Sequence, residues 1–148
     1  VLPSLYVAPM GDIAPRPRRS NPILLAAGSG RARRRLVDHA DGRLPTGTGA
    51  EAVAEQWRRL RDLAAERGRT EPIRTVPRVN ARYSAAHHEG SGRRPFQGGV
   101  DQIVEDLAAH AGTGLDEILV DLQSGTRDAE ELKDVAALVY EKARAAGI

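Results

Sequence analysis

The sequence predicts an α/β fold of four consecutive βα units, which is half of an eight-unit (β/α)8 barrel. Two observations carry this expectation. Short apolar runs alternate with amphipathic stretches of helical period from residue 23 to residue 148. A glycine loop follows the first apolar run, and capping-type residues precede two of the later helical stretches. Such alternation calls for right-handed crossovers and a parallel sheet covered by helices. An open four-stranded doubly wound sheet satisfies the same pattern, and the pattern alone leaves both open. At 148 residues the chain is long enough to bury a core of its own.

Residues 1–22 hold Pro3, Pro9, Pro15, Pro17 and Pro22 and read as an extended connector. The half-barrel is expected over 23–148. Pro22-Ile-Leu-Leu-Ala-Ala then gives a buried strand near 23–27 that enters the loop Gly28-Ser29-Gly30. A short helix over 31–40 places Ala32, Leu36, Val37 and Ala40 on one face and most of its arginines on the other. A second strand near 42–46 runs into a Gly/Thr loop. There Thr48 and Glu51 stand at capping-box spacing for a helix from about 50 to 67. Its buried stripe is Val53, Trp57, Leu60 and Ala64, with Trp57 as a packing anchor. Residues 73–83 form a long strand in which Pro77 removes one ladder bond or marks a bulge.

A polar loop covers 84–98. A helix over 100–111 turns Ile103, Val104 and Leu107 inward, and a strand follows near 117–122. Asp128 and Glu131 resemble an acidic capping box for the last helix, whose core face is Leu132, Val135, Val139 and Ala143.

Composition narrows the function classes. With no cysteine, the chain has no disulfide framework, thiolate nucleophile or cysteine-held metal. No apolar run approaches the ~20 residues of a membrane span. No signal-peptide pattern is present, and a cytoplasmic location is expected. Val1 in place of methionine suggests a processed or truncated chain. The net charge of +2 conceals a basic first part: residues 1–100 carry 18 Arg/Lys and 9 Asp/Glu. Residues 101–148 carry 4 and 11. A basic region attracts phosphate-bearing or polycarboxylate ligands. Nucleic acid is the weaker partner, because three Tyr, one Trp and one Phe offer no stacking platform.

The stretch Pro22 to Gly30, then Leu36 through His39-Ala40-Asp41-Gly42, then Leu44-Pro45-Thr46, resembles the second half of luciferase-like monooxygenases and coenzyme F420-dependent reductases. Glu66-Arg67-Gly68-Arg69, Arg94-Pro95-Phe96-Gln97-Gly98 and Gly114-Leu115-Asp116-Glu117-Ile118 extend the likeness in order to about Leu122. The sequence departs from that pattern at three places. Arg43 stands where an aromatic is usual, Ala27 replaces the first glycine, and Gly99 replaces a hydroxyl N-cap.

The resemblance implies the C-terminal half of a (β/α)8 TIM barrel and a flavin (FMN) or coenzyme F420 as cofactor. It implies that Gly28, Ser29, Gly30, Leu44, Pro45 and Thr46 line the cofactor's phosphate side. The groups facing the ring lie on the first four units, so the chain alone is expected to be catalytically silent and its catalytic residues are unknown.

The residues support part of this independently. Backbone N–H groups of a glycine loop at a helix N-terminus attract an anion, although a tight βα turn needs the same glycines. Thr46 offers a hydroxyl on the same rim, while Thr48 reads as a cap. Arg31, Arg33, Arg34 and Arg35 read as a solvated helix face, with Arg31 nearest the glycine loop. His87, His88 and Glu89 read as an exposed loop rather than a metal site, with substrate contact on the rim left open. Arg93 and Arg94 read as solvated charges, with a grip on an acidic cofactor tail as the lesser alternative. Asp121 points to the rim without an assigned role. No P-loop, Rossmann fingerprint or hydrolase triad context is present. A non-catalytic alternative is an assembly module: four strands with two open edges pair as a homodimer, or are completed by a missing N-terminal half.

Overall fold

The computed structural model describes residues 21–47 and 49–148. The expected connector lies almost wholly outside the described residues, as does Thr48 and with it the expected capping box. The element order is β1 Leu24–Leu25, α1 Gly30–His39, β2 Gly42–Arg43, α2 Ala50–Glu66, β3 Arg74–Thr75, β4 Arg78–Asn80, β5 Arg82–Tyr83, β6 Gln97–Gly98, α3 Val100–His110, β7 Leu119–Asp121 and α4 Ala129–Ala145. The architecture is mixed α/β, with parallel strand pairs and four helices among the described residues.

β1, β2 and β3 form one parallel sheet in chain order, and β4 pairs in parallel with β7. A parallel bridge between Thr46 and Arg78 carries the β2 line on to β4. The expected single strand 73–83 is thus three short pieces that share one line of backbone. Its Val76 and Arg78 N–H groups donate to Arg43 and Pro45, while Pro77 O accepts from Leu119 N on the other side. Pro77 has no N–H to give, and the β7 ladder begins one residue later, at Arg78 opposite Leu119. β6, a two-residue strand inside the expected polar loop, pairs with β5. No strand pairs with the outer side of β1 or of β7 among the described residues.

Close packing dictates one glycine. A Cβ on Gly42 would lie 2.6 Å from Leu24 Cδ2 and 2.7 Å from Arg74 O. Only a residue without a side chain lets β2 run between its two neighbours there.

The helices cover one face of these strands with two clusters. Leu36 and Val37 of α1 and its C-cap Ala40 meet Leu60 and Ala64 of α2 over Ile73 and Ala27. Ile103, Val104 and Leu107 of α3 meet Val135 and Val139 of α4 over Val79, Ala81 and Leu122. Trp57 is half-buried against the first cluster, and the Arg61 guanidinium lies 5.8 Å from its ring centroid. Burial of several Leu, Ile and Val side chains at about 1.5–3 kcal/mol each is what holds the two layers together.

Helix ends follow their local chemistry. Asp128 accepts from Glu131 N at 2.9 Å, the forward half of the expected box. The Glu131 carboxylate returns to Arg127 N at 2.6 Å rather than to Asp128. At α3 the N-cap is Gly99, and Gln102 Oε1 accepts from its N–H at 3.2 Å. No helix among the described residues is long and apolar enough to cross a membrane.

Candidate functional site

Parallel strands collect their following loops at one end, and function concentrates at that C-terminal rim. Here the rim is made of the loops after β1, β2, β5 and β7.

After β1 the chain turns through Ala27, Gly28 and Ser29 into α1. Ser29 Oγ accepts from Ala32 N at 3.2 Å, and Ser29 O accepts from Arg33 N at 2.9 Å. The remaining first-turn donors, Gly30 N and Arg31 N, have no place in the helix ladder. Gly28 is exposed, and a Cβ built there meets nothing within 4 Å. The loop is therefore open to an approaching group rather than packed shut. The Ser29 Oγ is a cap acceptor, and its O–H is not used in that bond. Arg33 Nη1 folds back to Gly28 O at 3.4 Å. Arg31, Arg34 and Arg35 are exposed and take part in no salt bridge among the described residues.

After β2 come Leu44, Pro45 and Thr46. Leu44 N donates to Leu25 O and Pro45 O accepts from Arg78 N, so the backbone here serves the sheet. Gly47 N also donates to Arg78 O, at 3.3 Å. Pro45 is buried and Leu44 half-buried, while Thr46 is exposed at the rim. Of this trio only Thr46 has a polar side chain, and it is exposed. Neighbouring strands lie about 4.8 Å apart, so the β1 and β2 loops form one continuous ledge.

Beyond the ledge, side chains dominate. Arg78, Asn80 and Arg82 alternate with buried Val79 and Ala81, and so occupy the face that the helices leave uncovered. Arg78 forms a salt bridge with Asp121 on β7. That bond, and secondarily the Gln123 N–H, holds the Asp121 carboxyl below its ordinary range. Asp121, without a role in sequence terms, is thus the partner of Arg78.

His87 is exposed, as expected of its loop, but His88 is half-buried with its backbone tied down. Gln102 Oε1 accepts from His88 N at 2.8 Å, and Gln102 Nε2 donates to His88 O at 3.0 Å. Arg93, expected to be solvated, instead grips Asp106 through both guanidinium nitrogens, at 2.5 and 2.9 Å. No group of three or more His, Asp or Glu capable of holding a metal occurs among the described residues. An apolar groove of about 500 Å³ lies at the opposite strand ends between α3 and α4, where Leu115, Ile118 and Tyr140 line it.

A family model described as luciferase-like monooxygenase matches residues 5–146. The chain belongs to the luciferase-like monooxygenase family. Comparison with curated proteins returns no match. Luciferase-like monooxygenases typically use a flavin or coenzyme F420 and have the TIM-barrel fold, whose closure is not seen among the described residues.

Membership gives two departures a physical meaning. Ala27, in the place of the first glycine, has φ of +51°. An alanine in that left-handed region costs about 1 kcal/mol, which a glycine avoids. Arg43, in the place of the usual aromatic, is only 4% exposed and extends to Gln56 Oε1. Its Nε and Nη1 are buried without a partner among the described residues. Burial, and after it the charge of Arg33, lowers its pKa. A cation here fills the volume of a ring but not its chemistry.

Proposed function

We propose that the chain is the C-terminal half-barrel of a flavin- or F420-dependent oxidoreductase and supplies the ledge that receives the cofactor's phosphate. The observation that carries this reading is the open glycine loop. Gly28 leaves space above the turn, and Gly30 N and Arg31 N remain as donors at the positive end of α1. The Thr46 hydroxyl stands on the adjacent loop. These groups suit a phosphate in donor type and accessibility.

When bound, the cofactor supplies hydride transfer or oxygen activation. The residues described here bind and orient its phosphate end. The Arg78–Asp121 and Arg74–Glu117 pairs line the uncovered face and keep it polar. Among the described residues four strand lines with two unpaired edges make half of the eight that a barrel needs, so the proposal draws the rest of the wall from additional strands. The chain alone is accordingly proposed to bind without turning over.

The test is a titration of the purified chain against FMN and against coenzyme F420, read by the polarisation of each cofactor's fluorescence. Saturable binding of one of them, weakened at least tenfold by Gly28→Val, is expected. Absence of binding to both, or binding indifferent to Gly28→Val, overturns the proposal.

A further inference from the structure

The uncovered face carries a ladder of arginines four residues apart. Arg74 Nη2 donates to Glu117 Oε2 at 3.1 Å, and Arg78 pairs with Asp121. Each arginine takes an acid from the neighbouring β7 line, and those acids are also four apart. Arg82 is the next rung, and the position due to answer it is Gly125. No acid fits there. A Cβ on Gly125 would lie 2.2 Å from Tyr83 N and 3.0 Å from the Arg82 carbonyl carbon. The chain has turned inward against the strand, so Arg82 is left without a carboxylate and forms no salt bridge among the described residues.

A second arginine joins it. Arg82 and Arg94 line one cavity of about 330 Å³, together with Asn80, Gly47 and Phe96. Arg94 too is exposed and without a salt bridge among the described residues. Its loop is held firmly. Arg93 and Phe96 N both reach the Asp106 carboxylate, Phe96 N at 2.6 Å, and Phe96 O accepts from Arg82 N at 2.8 Å. The Phe96 ring is buried 5.3 Å from that of His110. Phe96 has φ of +62°, a left-handed conformation that side chains rarely adopt. Backbone strain of this kind persists where surrounding bonds enforce it, and it marks binding sites. Arg94, Pro95 and Phe96 all line the cavity.

Two arginines without carboxylate partners lining one cavity favour an anion there. Guanidinium groups pair with phosphate or carboxylate through short, charge-assisted bonds. We propose that Arg82 and Arg94, with Asn80, form an oxyanion site on the rim, receiving a phosphate or carboxylate of a bound ligand. It stands two strands away from the Gly28–Gly30 loop and does not depend on that loop's role.

Inorganic phosphate is the first probe, with binding followed by 31P line broadening and by thermal shift of the full chain. Arg82→Gln and Arg94→Gln change exposed side chains and are expected to leave the circular dichroism unchanged. Each is expected to weaken phosphate binding about tenfold or more, and Gly28→Val to leave phosphate binding at this site intact. Phosphate binding equal in wild type and both variants, or none at all, overturns the site. The source of the oxyanion is then read from the double variant. If F420 binding weakens in parallel, the anion is a second acidic group of that cofactor; if only phosphate binding is lost, it belongs to the substrate.

Discussion

The two faces of the strand line from Arg74 to Tyr83 behave as two different materials. Toward the helices, Val79 and Ala81 are buried among Ile103, Leu107 and Val135. Toward the open side, Arg74, Arg78, Asn80 and Arg82 are exposed, separated from the core by the thickness of one backbone. The helix-side face is satisfied by this chain's own side chains. The open face is satisfied by ion pairs over its lower part and is left cationic at the rim. Parallel sheets are ordinarily covered on both faces. An uncovered face with ordered ion pairs and an unanswered arginine is what the proposed half-barrel and the proposed oxyanion site call for.

Substitutions on the two faces should therefore differ sharply in effect. Ile103→Ala, at a fully buried position, is expected to cost about 2–5 kcal/mol in urea denaturation. An effect below about 1 kcal/mol would mean that the α3–α4 layer is not packed as described. Asp106→Ala removes the acceptor shared by Arg93 and Phe96 N. A loss of about 2 kcal/mol is expected, together with faster amide exchange across 93–97.

The third change has the opposite sign. Arg43→Met exchanges an incompletely paired buried cation for an apolar chain of similar length, and a gain of about 1 kcal/mol is expected. Destabilisation on that substitution would show that the guanidinium has an anionic partner.

The smallest effect belongs to the open face. Asp121 has a lowered pKa in the folded chain, first through Arg78. Its contribution to stability is present above the unfolded carboxyl pKa and is lost as the pH falls through the lower folded value. Asp121→Asn should therefore lower neutral-pH stability by a small amount, with the difference from the wild type closing as the pH falls below about 4, so that the acid limb of the stability curve is flatter.

Much of this organisation is legible in the residues. The helical stripes of Val53, Leu60 and Ala64, and of Val135 and Val139, identify their elements because apolar period survives in any sequence that buries one face. The strand pieces are shorter than the apolar runs that announce them. Leu24–Leu25 and Gly42–Arg43 pair only where both neighbours are in register. β6 was not foreseen, because two residues after a left-handed Phe96 carry no periodic signal. Gln102, which ties His88 and Gly99 to α3, has nothing in sequence to distinguish it from a surface glutamine.

The site divides in the same way. The glycine loop is visible as a motif, and Thr46 stands on the rim where expected. Leu44 and Pro45 are occupied with the sheet. Arg82 and Arg94 acquire meaning only from the β7 register and from the absent side chain at Gly125, which no local pattern encodes.

The most direct measurement is a backbone amide map of the 15N-labelled chain with and without saturating FMN or F420. The account predicts shifts concentrated at Gly28, Gly30, Arg31 and Thr46, with the α3–α4 core unmoved. Shifts confined to the apolar groove around Leu115, Ile118 and Tyr140, or no shifts with either cofactor, would contradict it.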